Sequence, residues 1–421
     1  MINFLKSYSV NLLSLLNIIF NFLFTLIFGY FYKVSHIADS YFLSLIIYNN
    51  IFVIVQLFYS TFFNVYLYIE DEKKRDNLYY LLLIILIIIS TLIITIYFII
   101  TSSFTILSVD TKKYLDIYVF TLFFTPLVGI SIQLMNAKKE FFYAYYYTIG
   151  RSLVATILVL INKYKQDLSF LAYGYLIYDF LFFLLIFNKS TKLLQFKIPY
   201  FDKETVSIVM QKSFLDKAGQ FLVGLPELFI SNILTHNFPG ILSIYSYIKK
   251  FTTSLTQFIF IPQFTIFSTN IANFLREKNI NAILNGMKKL WKKTVPLYLL
   301  NSIILAIVIK YILQIFLDNS YVEENIFNIY AIYVILLIQN IFIMLEYPFG
   351  IVINQKLLFS YALKVKALSF IIFIIFLFSY KMYMNNLYIL LLLFMPSILF
   401  MFIAYRRKTL NILQAIGEKN A

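Results

Sequence analysis

Cysteine is absent from the 421-residue sequence, and histidine occurs only twice. The missing thiols exclude disulfides, thiolate metal sites and a cysteine nucleophile, and two histidines are too few for a histidine-rich metal centre. The GxxxxGK[ST] motif of ATP-binding loops is missing as well. We therefore expect no metal, no resident cofactor, no ATP-driven step and no enzyme.

Charged residues are scarce too. Asp, Glu, Lys and Arg make up 13% of the sequence against 61% hydrophobic residues, and the mean hydropathy is +0.82. Soluble domains are about 45–50% apolar and about 25% charged. The composition therefore predicts a polytopic membrane protein, and the short gaps between apolar runs leave no room for a separate soluble domain.

Long apolar runs, in contrast, are abundant. We predict twelve spans, all helical, because membrane-spanning strands would be about half as long and would alternate polar with apolar residues. No small-residue cleavage site follows the first run, so we expect it to remain as a span. The predicted spans are 10–32, 41–69, 78–107, 114–136, 141–162, 168–187, 214–235, 240–271, 293–317, 325–353, 359–380 and 385–405.

The positive charges are distributed asymmetrically. The net charge is +15, and of the 35 Lys and Arg residues 25 flank one side of the predicted spans and 7 flank the other. The positive-inside rule accounts for such an excess without nucleic-acid binding and places both termini in the cytoplasm.

A polar, basic segment at 189–212 separates two sets of six spans. We predict an N-terminal six-helix lobe at 1–188, a cytoplasmic linker at 189–212 and a C-terminal six-helix lobe at 213–421. Within the second lobe, residues 279–293 have apolar side chains at helical spacing and lysines on the other side. This pattern predicts an amphipathic helix on the inner leaflet before span nine.

Six of the ionisable side chains inside predicted spans are candidates for function, because a charge there costs at least about 2.5 kcal/mol unless it faces water or a partner. We expect Arg151 and either Lys249 or Lys250 to line a cavity that binds an anion, because both residue types suit phosphate. The two lysines point about 100° apart on a helix, so which of them faces the cavity stays open. The acids in this set are candidates for ion coupling or charge balance: Asp179, Glu227 and Glu346.

A second interpretation of these charges is local neutralisation. Arg151 would then pair with Asp179 inside the first lobe, and Lys250 with Glu227 inside the second. The sequence alone is compatible with both arrangements.

One stretch carries a family resemblance. Glu227, the turn at Pro239-Gly240, the run from Leu242 to Ser246 with a basic residue soon after, and Ile261-Pro262 follow one another in spans seven and eight. This hairpin resembles that of Wzx-type polysaccharide flippases, the O-antigen and capsule transporters of the MOP (multidrug/oligosaccharidyl-lipid/polysaccharide) superfamily. The span count and layout are similar over the whole chain, and the sharper similarity covers about 60 residues.

The resemblance implies a fold and a function. The fold would be an all-α polytopic membrane protein with about 12 transmembrane helices in two pseudo-symmetric six-helix lobes, arranged as a MATE-like inverted V. The function would be alternating-access transport of an undecaprenyl-pyrophosphate-linked oligosaccharide from the cytoplasmic to the periplasmic or outer leaflet. Such a protein serves polysaccharide or lipopolysaccharide biosynthesis in the bacterial cytoplasmic (inner) membrane. Its partners would be the lipid-linked oligosaccharide, membrane lipids and other glycan-assembly membrane proteins, without nucleic acid.

Two other functions were weighed. A MATE-like ion-coupled small-molecule exporter would need a coupling carboxylate, and Glu227 keeps that alternative open, although the interior cations favour an anionic substrate. A membrane glycan polymerase or ligase usually has a large periplasmic loop, which this sequence lacks. The lipid II flippase branch usually has fourteen spans and several arginines in its first helices, and neither feature occurs here.

Overall fold

The chain is almost entirely helical. The computed structural model describes residues 2–103, 107–165, 167–194, 202–356, 358–383 and 386–418. Helices make up 89% of the structure, and no strand occurs among the described residues. The predicted all-α class is confirmed, as expected when every backbone N–H and C=O must be satisfied within its own segment in lipid.

The chain divides into two compact units, Met1–Phe221 and Leu222–Ala421. In the N-terminal unit, α1 packs on α7, α2 on α5, and α8 on α5, α6 and α7. Its helices are α1 (Ile2–Tyr32), α2 (His36–Gln56), α3 (Phe62–Tyr68), α4 (Glu72–Ser103), α5 (Val109–Phe120), α6 (Thr125–Ala137), α7 (Phe142–Ile161), α8 (Ser169–Lys192) and the first part of α9 (Lys203–Asn237).

The C-terminal unit holds the end of α9 and seven further helices. In this unit α10 packs on α11 and α13, and α16 packs on α13 and α14. Its helices are α10 (Ile241–Arg276), α11 (Ile280–Phe316), α12 (Asn319–Glu324), α13 (Ile326–Gln355), α14 (Phe359–Tyr383), α15 (Leu387–Leu392) and α16 (Phe394–Glu418).

Ten stretches of the described chain are long and apolar enough to cross a membrane, which makes this a multi-pass membrane protein. They correspond to ten of the twelve predicted spans. The other two predicted spans, seven and eight, coincide with α9 and α10, which are helical but are not among the ten. These two helices carry three of the six candidate charges, Glu227 on α9 and Lys249 and Lys250 on α10.

Three predicted spans are not single helices. Span two is interrupted at residues 57–61, between α2 and α3. Span four is interrupted by a short 3-10 turn, Thr121–Phe123, where Pro126 stands in the first turn of α6 and cannot supply a backbone N–H to a preceding turn. Span twelve is divided between α15 and α16, with Pro396 near the start of α16.

The predicted amphipathic helix is a helix, but it does not stand alone. Residues 279–293 continue directly into span nine as α11, with Pro296 inside the helix. The side chains of Ile283, Met287 and Leu290 are buried in the core of the C-terminal unit. That part of the apolar face is therefore covered by protein, and the position of this helix on the inner leaflet stays a prediction.

The segment predicted as a linker is partly helical. Helix α8 extends to Lys192 and α9 already begins at Lys203, so helix enters the predicted range from both sides. Residues 195–201, including Pro199, lie outside the described residues. It stays a prediction that the chain consists of two lobes, 1–188 and 213–421, joined by a linker at 189–212.

Candidate functional site

Two helix breaks meet at one cavity in the N-terminal unit. Gln56, Tyr59 and Ser60 come from the end of α2 and the break that follows it, and Thr125 comes from the start of α6 after the second break. Interrupted helices in membrane proteins occur where the irregular backbone is buried in protein or lines a water-filled cavity. In transporters such discontinuous helices frequently form the substrate site.

The first break is held in place by α9. The Thr61 backbone N–H donates to Ser213 Oγ at 3.0 Å, and Thr61 Oγ1 donates to the Val209 carbonyl at 3.2 Å. The hydroxyls of Thr61 and Ser213 also lie 2.9 Å apart. These bonds satisfy polar groups that the missing helical turn leaves without intrahelical partners. As a result, the start of α9 becomes one wall of the cavity.

The cavity has a volume of about 290 Å³. Two of its lining residues are cations, Arg151 from α7 and Lys217 from α9, and Gln56 and Gln133 contribute carboxamides. No described lining residue is an Asp or Glu. The remaining lining residues are Phe52, Tyr59, Ser60, Thr125, Gly129 and Tyr147.

Arg151 lies beside a buried acid. Its Nη2 atom is 3.7 Å from Asp179 Oδ2, and the Asp179 side chain is 0% exposed whereas that of Arg151 is 25% exposed. Asp179 is also held by two hydroxyl donors: Thr125 Oγ1 donates to Oδ2 at 2.6 Å and Tyr147 Oη donates to Oδ1 at 2.9 Å. Both oxygens of the carboxylate therefore have a hydrogen-bond partner besides the arginine.

The Arg151 guanidinium is left with donor capacity. At 3.7 Å its approach to Asp179 is an ion pair but is longer than a hydrogen bond. The plane is oriented by two aromatic rings, with Cζ 4.6 Å from the ring centre of Tyr175 and 5.9 Å from that of Tyr147. Its Nε is buried and has no hydrogen-bond partner among the described residues. A guanidinium positioned in this way can bind an anion in the cavity without first being reoriented.

The C-terminal unit arranges its interior charges differently. Lys249 on α10 forms a direct hydrogen-bonded ion pair with Glu227 on α9, and its ammonium lies 5.9 Å from the ring centre of Tyr245. The side chains of Lys249 and Glu227 are 36% and 27% exposed. Of the two adjacent lysines, Lys249 is therefore the one that forms this ion pair, whereas the alternative interpretation of the sequence had paired Lys250 with Glu227.

Glu346 occupies a separate position in the C-terminal unit. It is half-buried on α13, one turn before Gly350, and Lys366 on α14 is the cation whose charge acts on it. Its carboxylate belongs to neither the Arg151 cavity nor the Glu227–Lys249 pair.

No family model and no curated protein matches this sequence. Solved structures do match over nearly the whole chain. An inward-facing multidrug resistance MATE family transporter of the MOP superfamily superposes with a TM-score of 0.78 at 12% identity, covering 95% of this chain and 96% of the other. The lipid II flippase MurJ in an inward closed conformation gives a TM-score of 0.71 at 17% identity, with coverage of 96% and 89%. The chain has the MOP transporter fold.

A third match has a different binding pocket. A MOP superfamily transporter from Pyrococcus furiosus, described as having a binding pocket of reversed polarity, gives a TM-score of 0.62 at 12% identity, with coverage of 95% and 96%. Identities this low establish the fold alone. The polarity of the binding region in this chain must therefore be derived from its own residues.

The sequence identified some of these residues and missed others. It singled out Arg151 and Asp179, which lie side by side, and Glu227 with Lys249, which pair. It missed Lys217, because a lysine close to a predicted span end resembles the cytoplasmic flank cations. It also missed Gln56 and Gln133, which are ordinary polar residues until the helix breaks bring them to the cavity of the MOP fold.

Proposed function

We propose that this protein is a transporter that flips an undecaprenyl-pyrophosphate-linked oligosaccharide, an O-antigen or capsule repeat unit, from the cytoplasmic to the outer leaflet. The observation that carries the proposal is the cavity of the N-terminal unit, which has two cationic side chains and no described carboxylate in its lining. A pyrophosphate has high charge density and would be costly to move through hydrocarbon, and a hydrated, cationic path removes most of that cost.

The solved structures support a transport function of this type. One of the proteins with this fold is named a lipid II flippase, whose substrate is lipid-linked, and others are named multidrug transporters. The cationic lining favours the first of these two classes in our proposal, because a cavity lined by Arg151 and Lys217 is better suited to an anion than to a cationic drug. The alternating movement would occur between the lobes predicted at 1–188 and 213–421.

The other interior charges have supporting roles in this proposal. Lys249 and Lys250 stay predicted anion-binding candidates of the C-terminal unit, while Asp179, Glu227 and Glu346 balance charge or bind a coupling ion. We place the protein in the bacterial inner membrane with both termini in the cytoplasm, where it would act with other glycan-assembly membrane proteins.

Complementation tests the proposal directly. The protein is expressed in cells that lack their own glycan flippase, using a panel of strains that make different repeat units. Surface glycan and the lipid-linked intermediate on the cytoplasmic leaflet are measured in each strain. We expect the wild-type protein to restore surface glycan in at least one strain and to lower the intermediate. Arg151→Gln should abolish this effect, and Arg151→Lys should retain part of it.

Arg75 provides the matched control. It is another arginine of the N-terminal unit that is both paired with an acid and close to a tyrosine ring, since it bonds Glu72 at 3.1 Å and its Cζ lies 5.3 Å from the ring centre of Tyr66. Arg75→Gln removes the same charge outside the cavity and should leave export intact. If no strain is rescued but the wild-type protein lowers the cellular accumulation of a cationic dye, the small-molecule exporter replaces the flippase.

A further inference from the structure

We propose that the cavity of the N-terminal unit recognises a diphosphate, and that Lys217 is the residue that selects two linked phosphates over one. The inference rests on the proposed function for the identity of the natural ligand. It adds a specificity-determining residue and assigns the recognition of the diphosphate to a single unit of the fold.

The position of Lys217 follows from its helix. Val209, Ser213 and Lys217 are spaced four residues apart on α9, so they lie along one face of the helix. The first two are hydrogen-bonded to Thr61 in the break after α2. The same contacts that hold α9 against the break therefore direct Lys217 toward the cavity, which it lines together with Ser60.

The lining provides donors and few competing charges. Gln133 Oε1 accepts from the Phe63 backbone N–H at 3.1 Å, which leaves the two N–H donors of this amide for a ligand. The Lys217 ammonium donates to the neutral side chain of Gln220 at 2.8 Å. An acid also lies close to this side of the cavity, since Asp216 Oδ2 accepts a hydrogen bond from Ser60 Oγ at 3.5 Å. Together with the partly exposed guanidinium of Arg151, these donors suit an anion with several oxygens.

The size of the cavity limits what it can hold. At about 290 Å³ it lies at the lower end of the range of about 300–1,000 Å³ that is typical of small-molecule pockets. That volume suits a diphosphate head group, whereas the sugars and the lipid of a complete carrier must extend beyond it. A ligand that fills so small a cavity contacts both cations.

The preference for diphosphate over monophosphate follows from the different phosphates that these two cations bind. A single phosphate can be bound by the guanidinium of Arg151 alone, because a planar fork satisfies two of its oxygens. The second phosphate of a diphosphate requires another cation, and Lys217 is the one available in the lining. Loss of Lys217 should therefore weaken diphosphate binding much more than monophosphate binding.

The experiment measures binding to the purified full-length protein in lipid nanodiscs, with inorganic pyrophosphate and inorganic phosphate as probes in calorimetric titrations at constant ionic strength. We expect the wild type to bind pyrophosphate more tightly than phosphate by about tenfold or more, the effect of one additional charge-assisted contact. Lys217→Gln should reduce that ratio to about one to two and change phosphate affinity by less than about twofold. Lys217→Arg should restore most of the preference, and Arg151→Gln should weaken both ligands.

Lys212 provides the control for general electrostatics. It is an exposed lysine on the same helix and does not line the cavity. Lys212→Gln should leave both affinities unchanged, and thermal unfolding confirms that each variant is folded. The inference is overturned if the wild type shows no preference for pyrophosphate, if Lys217→Gln leaves the ratio unchanged, or if Lys212→Gln lowers it equally. Binding with the expected ratio by a protein that rescues no strain would remove the proposed function and leave this inference standing.

Discussion

The two units of this protein each contain an acid and a cation in their interior, but they use them in different ways. In the N-terminal unit the carboxylate of Asp179 is held by Thr125 and Tyr147, while Arg151 lies beside it at 3.7 Å and lines a cavity. In the C-terminal unit Lys249 and Glu227 bond each other directly. An acid held by neutral hydroxyls leaves its cation available to a ligand, and a direct pair does not.

The largest expected effect comes from Arg151. Arg151→Gln should lower glycan export by at least about tenfold, since it removes a charge-assisted contact to the substrate. It should also destabilise the protein by about 3 kcal/mol, because the fully buried Asp179 loses its countercharge. Export in the complementation assay and thermal unfolding in nanodiscs measure the two effects separately.

The double variant separates ligand binding from charge balance. In Arg151→Gln with Asp179→Asn the buried site is neutral again, so stability should recover while export stays low. Recovery of export as well as stability would mean that Arg151 only neutralises Asp179.

Changes in the Glu227–Lys249 pair should affect the stability of the protein but not its export activity. Glu227→Gln or Lys249→Gln alone should lower stability by about 1–2 kcal/mol, less than for a fully buried pair because both side chains are partly exposed. The double variant should recover most of that loss and should export within about threefold of the wild type. A double variant that is stable but cannot export would instead give this pair a direct part in transport, such as ion coupling.

Gly129 provides a test of cavity size. A Cβ at this position would lie 2.8 Å from Tyr59 Oη, so Gly129→Ala should displace the tyrosine ring and change the shape of the cavity, which both residues line. Since alanine favours the helix over glycine by about 1 kcal/mol, the variant should stay folded while pyrophosphate affinity falls by about threefold. Calorimetric titration measures the affinity.

Gly286 in the C-terminal unit provides the matched control for Gly129. A Cβ there would meet Phe267 at 3.3 Å, away from the cavity. Gly286→Ala should therefore leave pyrophosphate binding unchanged, and an equal loss in both variants would show that the effect of Gly129→Ala does not come from narrowing the cavity.

The smallest effect is expected in the loop before α8. Asp167 is partly buried, which opposes its ionisation, but hydrogen bonds from Lys113 at 2.7 Å and from Ser169 lower the pKa of this carboxyl below its usual value. A depressed pKa in the folded state contributes stability above the unfolded-state pKa of about 3.9, and that contribution is lost as the pH falls through the lower folded-state pKa.

Asp167→Asn should therefore lower the Tm slightly at pH 7, by at most about 2 °C because the ion pair is exposed. The difference between variant and wild type should shrink below about pH 4. Glu323→Gln, which removes the exposed Lys310–Glu323 pair of the C-terminal unit, should be equally mild. A large loss of Tm in either variant would contradict the conclusion that both of these ion pairs contribute little to stability.

The sequence predicted the helices well, for a physical reason. Long apolar runs must form helices in lipid, so the composition alone determines most of the secondary structure. The interruption at residues 57–61 was not predicted, because Ser60 and Thr61 are only weakly polar, whereas Pro126 is a strong helix-breaking signal close to the interruption after Phe120. A single serine or threonine is readily tolerated inside a helix, where it bonds the carbonyl one turn earlier.

The site itself was only half predictable. A charged residue is easily recognised inside an apolar segment, so Arg151, Asp179, Glu227 and Lys249 could be found from the sequence. Lys217 could not, because its importance depends on hydrogen bonds between Thr61 and α9, which join residues about 150 positions apart in the chain. Only the folded arrangement distinguishes a cavity lysine from a cytoplasmic flank lysine.

The position of Asp179 next to Arg151 has a kinetic consequence. An anion that enters the cavity competes with the Asp179 carboxylate for Arg151. The free energy of binding is therefore the difference between the attraction of Arg151 to the ligand and its attraction to Asp179. Because Thr125 and Tyr147 donate to both oxygens of Asp179, the carboxylate stays hydrogen-bonded while Arg151 binds a ligand, which favours exchange in both directions. The arginine is thus suited to rapid release, and a protein without this internal competitor would hold its cargo longer and turn over more slowly.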